Sequence, residues 1–183
     1  MGKLQRCREL GDWGEKKAIE LLRRAGFQAV RDLNSEMANH PFADVYAKHD
    51  DKAFIIGVKT RNKLTAAGTL NAAYNVCKKG TDLSDLVLRY NAQLACLALQ
   101  VDIEAQIFSA FLVPMTKLNE GGERYSMPMT AKATATYECL ARDEYDPSID
   151  PDWTNQPTAE NRRRQRSMAI LAGTGDRQAF RHI

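Results

Sequence analysis

The sequence has no run of 18 apolar residues, so no segment of it is expected to cross a membrane as a helix. Its first eight residues, Met1 to Arg8, contain no apolar stretch of the kind that a secretory signal needs. Gly2 is not followed by the Ser or Thr that an N-acylation site wants. The expected location is the cytoplasm. Four cysteines stand apart at positions 7, 77, 96 and 139, with no Cys-x-x-Cys pair and no Cys/His cluster, which argues against a zinc site. Without a secretion signal, a disulfide framework is not expected either. Histidine is scarce. His40 precedes Pro41 in a loop and His49 falls in a turn, neither with a partner at metal-ligating spacing, so both are expected on the surface. No internal repeat is present.

What remains is an ordinary globular composition of 183 residues, 44% hydrophobic and 27% charged, enough for one cored domain and an extension. The net charge of +3 is unevenly distributed. Residues 1 to 137 carry about +4, residues 138 to 152 about −5 and residues 158 to 183 about +4. Such a balance permits nucleic-acid binding without requiring it.

Periodicity predicts a helix over about residues 8 to 25, with Leu10, Gly14, Ala18, Leu21, Leu22 and Ala25 on one arc. Glu15 falls inside that apolar arc, and Gly26 is placed to end the helix. Residues 28 to 31 read as a short strand. Residues 43 to 48 alternate, with Ala43, Val45 and Ala47 on one face and Asp44 and Tyr46 on the other. After a polar turn, residues 53 to 59 form a second strand in which Ala53, Ile55, Gly57 and Lys59 share a face. Residues 63 to 79 are small, polar and ambiguous. A helix is expected over 82 to 91, a buried strand over 94 to 101, and another over 106 to 113, ended by Pro114. Residues 130 to 140 read as strand or loop. Residues 142 to 157 read as an irregular acidic linker, and residues 160 to 171 as a helix.

An aspartate near the start of one apolar run and a lysine at the end of the next meet if the runs form a hairpin. A carboxylate beside an ammonium at strand ends can hold a divalent metal and polarise a phosphate. Glu15, Asp44 and Lys59 are therefore the residues to explain. With Gly14-Glu15-x-x-Ala18-x-x-x-Leu22-x-x-x-Gly26-Phe27, Phe42-Ala43-Asp44-Val45 and Gly57-Val58-Lys59-Thr60-Arg61, the chain resembles the PD-(D/E)XK nuclease superfamily. The likeness is to its Holliday-junction-resolvase and Mrr-like branch. It spans about residues 9 to 113 and includes the order of elements.

That resemblance implies an α/β fold with a restriction-endonuclease-like core: a central mixed sheet of four or five strands flanked by helices. It gives a nuclease-like domain within 1 to 137, followed by residues 138 to 183, which composition and charge alone read as an acidic linker and basic helical extension. It further implies metal-dependent phosphodiester hydrolysis in DNA, with Mg2+ or Mn2+ held by Asp44, Glu15 and the backbone carbonyl of Val58. Lys59 would position water or offset charge on the phosphate. Arg61 and Lys63 would contact nucleic-acid phosphates. Outside the span of the resemblance, the charge of Arg162, Arg163, Arg164 and Arg166 is itself read as a candidate phosphate-binding stripe. Homodimers are common in the family.

The departure is Gly57, where the family usually carries an acid. Glu15, Asp82, Asp85 and Glu36 are the candidates for a relocated one. Two readings stay open: an active nuclease, or a nuclease-like domain that lost cleavage and binds nucleic acid or serves as a subunit. A protein–protein adaptor with no nucleic-acid role is a third. The plainer alternatives also stand at each residue. Glu15 would be a helix-edge charge, Asp44 an exposed strand residue, Lys59 a lysine protecting a sheet edge, and the arginine run a solvated helix face. Trp13 and Tyr46 are read as packing residues.

Overall fold

The computed structural model describes residues 3–37, 40–65, 67–120 and 122–145. The expected helix over 160 to 171, with Arg162, Arg163, Arg164 and Arg166, lies outside the described residues. The elements are α1 (Lys3–Arg24), β1 (Gln28–Asp32), β2 (Val45–His49), β3 (Lys52–Asn62), β4 (Ala73–Lys78), α2 (Ser84–Tyr90), β5 (Ala92–Asp102), β6 (Ile107–Pro114), a 3-10 turn (Met115–Lys117), β7 (Arg124–Pro128), α3 (Ala131–Thr134) and β8 (Glu138–Glu144). Six strands form one mixed sheet in the order β1-β2-β3-β5-β6-β8. The β3–β5 pair is parallel and every other pair in it is antiparallel. The architecture is α/β, with one strand more than the upper expectation.

Alternation along the strands splits the core into two layers. Val45, Ala47, Ile56 and Val58 pack beneath α1 with Leu10, Trp13, Ala18, Leu21 and Leu22. Tyr46, Ile55, Ala98 and Cys96 face the other side, where α2 contributes Leu86. Each fully buried leucine of α1 contributes about 1.5–3 kcal/mol by its removal from water. Trp13 is a packing residue: its ring meets Phe108 and Tyr145 edge-on at 5.6 and 6.2 Å. Ala43 departs from its expected face. It precedes β2 rather than belonging to it, and joins the α2 layer.

Local chemistry accounts for the joints. Gly26 has φ 87°, and the bonds from Gly26 N–H to Arg23 O and Phe27 N–H to Leu22 O close α1 in a Schellman arrangement. Asp50 and Asp51 both have positive φ, the geometry that lets a two-residue turn follow the strand twist between His49 and Lys52.

A second, two-stranded sheet pairs β4 with β7. It was not legible in the sequence, and it covers the α2 side of the main sheet through Tyr74, Val76, Cys77 and Met127. Residues 138–144, read as the start of the linker, form the edge strand β8 against β6. Residues 130 to 140 divide into α3 and the beginning of that strand.

Candidate functional site

Asp44 and Lys59 are brought together by the β2–β3 hairpin. Val45 pairs with Ile56, and the Asp44 N–H reaches the Ile56 carbonyl at 3.2 Å. This leaves the Asp44 side chain directed at β3 just beyond the last β2–β3 pair. Its Oδ2 accepts the Val58 N–H at 2.6 Å, and Lys59 Nζ lies 3.8 Å from the same oxygen. The residue is only 7% exposed. Burial pushes the Asp44 carboxyl above the usual carboxylate range; Lys59 and the Val58 N–H oppose that push. A buried carboxylate with one cation and one backbone donor is held in place but incompletely compensated.

Glu15 reaches the same region from α1. Gly14 is the reason. A Cβ at position 14 would overlap Thr60 Oγ1 and sit 2.8 Å from Thr60 Cβ, so α1 crosses β3 with its backbone against that side chain. Glu15, one residue on, is half-buried, and its Oε2 accepts a hydrogen bond from Asn34 Nδ2 at 2.9 Å. Burial raises its carboxyl to about 7, with help from the carboxylates of Asp44, Asp12 and Asp32, while Lys59 opposes. Glu15, Asp44 and Lys59 thus share one electrostatic environment. Asp12 and Asp32 belong to it as well, and sequence reasoning missed both. The signal for Asp32 was its position at the end of a strand leading into a turn, where its Oδ1 also accepts the Asn34 N–H.

Gly57 is not open space awaiting an acid. A Cβ there would lie 2.8 Å from the Phe42 carbonyl oxygen and 3.0 Å from two atoms of the Phe42 ring. The segment leading into Asp44 fills the volume that a side chain at position 57 would occupy. His40 shapes that segment and is not the plain surface residue expected. Its Nδ1 accepts the N–H groups of Phe42 at 3.1 Å and Ala43 at 2.9 Å, which leaves the ring proton on Nε2. His49 is likewise half-buried, its ring lying against Phe27 with centroids 4.6 Å apart.

The other candidates divide. Val58 sits in mid-strand, paired with Leu97, next to both site residues. Arg61 is exposed, its guanidinium folded back on the Thr60 carbonyl at 2.7 Å. Lys63 is engaged elsewhere, with Nζ 2.7 Å from Asp102 Oδ2. Among the relocated-acid candidates, Asp82 caps the backbone at Ser84 and Asp85, Asp85 pairs with Arg89, and Glu36 pairs with Arg31. Glu15 is the one of the four whose carboxyl feels the charges of both Asp44 and Lys59. Tyr46 packs under the Arg31 guanidinium and beside Tyr90. Cys77 and Cys96 lie buried on the Lys59 side. Burial raises the Cys96 thiol to about 12, so it stays protonated at neutral pH.

Among the described residues, no three His, Cys, Asp or Glu side chains form a group able to hold a metal ion. Asp44 and Glu15 are the two carboxylates here that could take part in holding a hard cation, whose remaining ligands would come from water, backbone and substrate. Burial is the main cause of the raised Glu15 carboxyl; the smaller part due to neighbouring carboxylates is what a cation would relieve. Among the described residues, no helix is long and apolar enough to cross a membrane.

No protein-family model matches this chain, and no curated protein sequence matches it. Among solved structures, the chain is similar to Hjc of Archaeoglobus fulgidus, a Holliday junction resolvase from an archaeal hyperthermophile. The similarity has a TM-score of 0.49 at 16% sequence identity, over 67% of this chain and 89% of that one.

Proposed function

We propose that this protein is a metal-dependent nuclease acting on DNA, with Asp44, Glu15 and Lys59 as its working residues. The observation that carries the reading is the buried Asp44 carboxylate, gripped by the Val58 N–H and 3.8 Å from the Lys59 ammonium, with Glu15 close enough for their charges to interact. A structural ion pair has no need of a second, strained carboxyl beside it; a site for phosphate chemistry does.

Asp44 and Glu15 would hold a divalent ion, with the Val58 carbonyl as a backbone contributor. Bound there, Mg2+ or Mn2+ would activate water and offset phosphate charge. The roles of the chain's own groups follow from their placement. Asp44 keeps one oxygen fixed by Val58 and leaves the other to bind. Lys59 Nζ, already within ion-pair reach, offsets charge developing on the scissile phosphate. Glu15, half-buried on α1, supplies the second carboxylate, which the ion would hold in its charged form. Arg61 binds a flanking phosphate.

A second reading has its own support. Gly57 supplies no oxygen, Phe42 fills the space beside it, and no three-acid group is present among the described residues. These observations fit a domain that binds DNA without cutting it. Titration calorimetry with manganese on the wild type and on Asp44→Asn separates the two. The nuclease reading expects heat from the wild type that the variant loses. Equal binding, or none by the wild type, supports the non-cleaving reading.

A further inference from the structure

The β4–β7 ribbon carries an arrangement that its own stability does not explain. Lys78 and Arg124 stand directly opposite each other in its register, and both are exposed. Like charges directly opposed on neighbouring strands are destabilising. Neither cation has an acid partner among the described residues; Glu123, one residue before Arg124, forms an ion pair with neither.

The backbone is shaped to keep the pair pointing outward. Strict alternation from exposed Asn75 would bury Val76, expose Cys77 and turn Lys78 inward. Instead the register shifts between Asn75 and Cys77, so that Val76 and Cys77 are both buried and Lys78 emerges on the Asn75 side. A bulge that re-aims one side chain is a device, not a defect. Asn75 faces Ser126 across the ribbon, which places hydrogen-bonding side chains beside the two cations.

The inner side of the ribbon rests on the face of the main sheet that carries Lys59, and Tyr74 Oη donates to the Arg61 carbonyl at 3.3 Å. The ribbon therefore covers the sheet face from which Lys59 projects, with the two cations on its outer side.

We infer that the outer face of the β4–β7 ribbon is a backbone-binding surface for nucleic acid, with Lys78 and Arg124 contacting phosphates and Asn75 and Ser126 beside them. This rests on the reading of the protein as DNA-directed, and adds to it a surface separate from Asp44 and Lys59. An anion between the opposed cations removes their repulsion, and polar side chains next to them are ordinary phosphate contacts. An acidic protein is the competing occupant.

The test is binding of a fluorescent DNA duplex to the full chain across a salt series. The variants are Lys78→Ala/Arg124→Ala and, as a charge-matched control, Lys48→Ala/Lys52→Ala at the hairpin end of the sheet. Each phosphate contact contributes about 0.9 to the slope of log affinity against log salt. The ribbon variant is expected to lose about 2 from that slope and about tenfold or more in affinity at low salt, with its melting temperature unchanged or raised. The control is expected to keep the wild-type slope. If the wild type binds duplex and the ribbon variant binds it identically, or the control loses as much, the inference fails while the DNA-directed reading stands. If the wild type binds no DNA, both fail. Weaker binding by the ribbon variant without cleavage by the wild type keeps the surface and removes the nuclease.

Discussion

Replacing Gly14 with alanine tests the contact that places Glu15. In an exposed helix interior the change from glycine to alanine stabilises by about 0.5–1 kcal/mol. Gly11 offers that case on the same helix, because a Cβ there meets nothing within 4 Å. At Gly14 the new methyl would overlap Thr60 Oγ1 and crowd Thr60 Cβ at 2.8 Å, and Thr60 is buried in the middle of the sheet. Relief requires α1 to lift from β3, at an overpacking cost of about 1–3 kcal/mol that outweighs the helix-propensity gain. Gly11→Ala should therefore raise the urea midpoint and Gly14→Ala should lower it. The two midpoints should differ by about 1 M for an ordinary slope of about 1–3 kcal/mol per molar urea. Adding Thr60→Ala to Gly14→Ala removes Oγ1 and the γ-methyl but leaves Cβ, so it should recover part of the loss. Gly14→Ala as stable as Gly11→Ala would mean that the helix does not cross β3 at this residue and that Glu15 is not held there by it.

Two further outcomes are expected. Gly57→Ala should destabilise by about 1–3 kcal/mol in chemical denaturation, because its Cβ meets the Phe42 carbonyl at 2.8 Å and backbone yields less easily than a side-chain tip. Gly57→Glu should then lose stability and gain no metal affinity, and a stable variant that binds manganese more tightly would contradict the packing. Glu15 holds its proton in the folded protein up to about pH 7, whereas the unfolded chain releases it near 4.5, so native stability falls as pH rises through that window. Glu15→Gln removes the effect: thermal melts should show little difference at about pH 4 and a more stable variant at about pH 8. The gain should be on the order of 1 kcal/mol once solvent screening of this half-exposed group is discounted. A gap that is constant with pH would refute the shift.

The long apolar patterns carried most of the legible fold. The arc of α1 placed Glu15 on the inner side, and alternation in β2 and β3 placed Asp44 and Lys59 on one face. The near-continuous apolar run of β5 marked the sheet centre. What stayed hidden has physical reasons. β4 is short, bulged at Val76 and preceded by small polar residues, so its period of two is broken where it would be read. β7 is five residues and ends at Pro128. The acidic residues 138–144 form β8 because an edge strand can expose charge on one side, and composition alone made them look like linker. At the site, Asp44 and Lys59 were visible as ends of strands. The role of His40 was not, because it acts through its ring nitrogen on the backbone two and three residues on, a geometry that no spacing rule reports. Gly57 read as a missing ligand, and only the Phe42 carbonyl against it shows that a side chain there has nowhere to go.

The most direct measurement of the central claim is manganese-dependent cleavage of labelled DNA by the full chain and by Asp44→Asn, a near-isosteric change whose folding is checked by circular dichroism. The account predicts cleavage by the wild type that EDTA abolishes, and a loss of at least about a hundredfold in the folded variant, the scale of removing one preorganised electrostatic group from a reaction centre. Cleavage that survives EDTA, or that persists undiminished in Asp44→Asn, would contradict it.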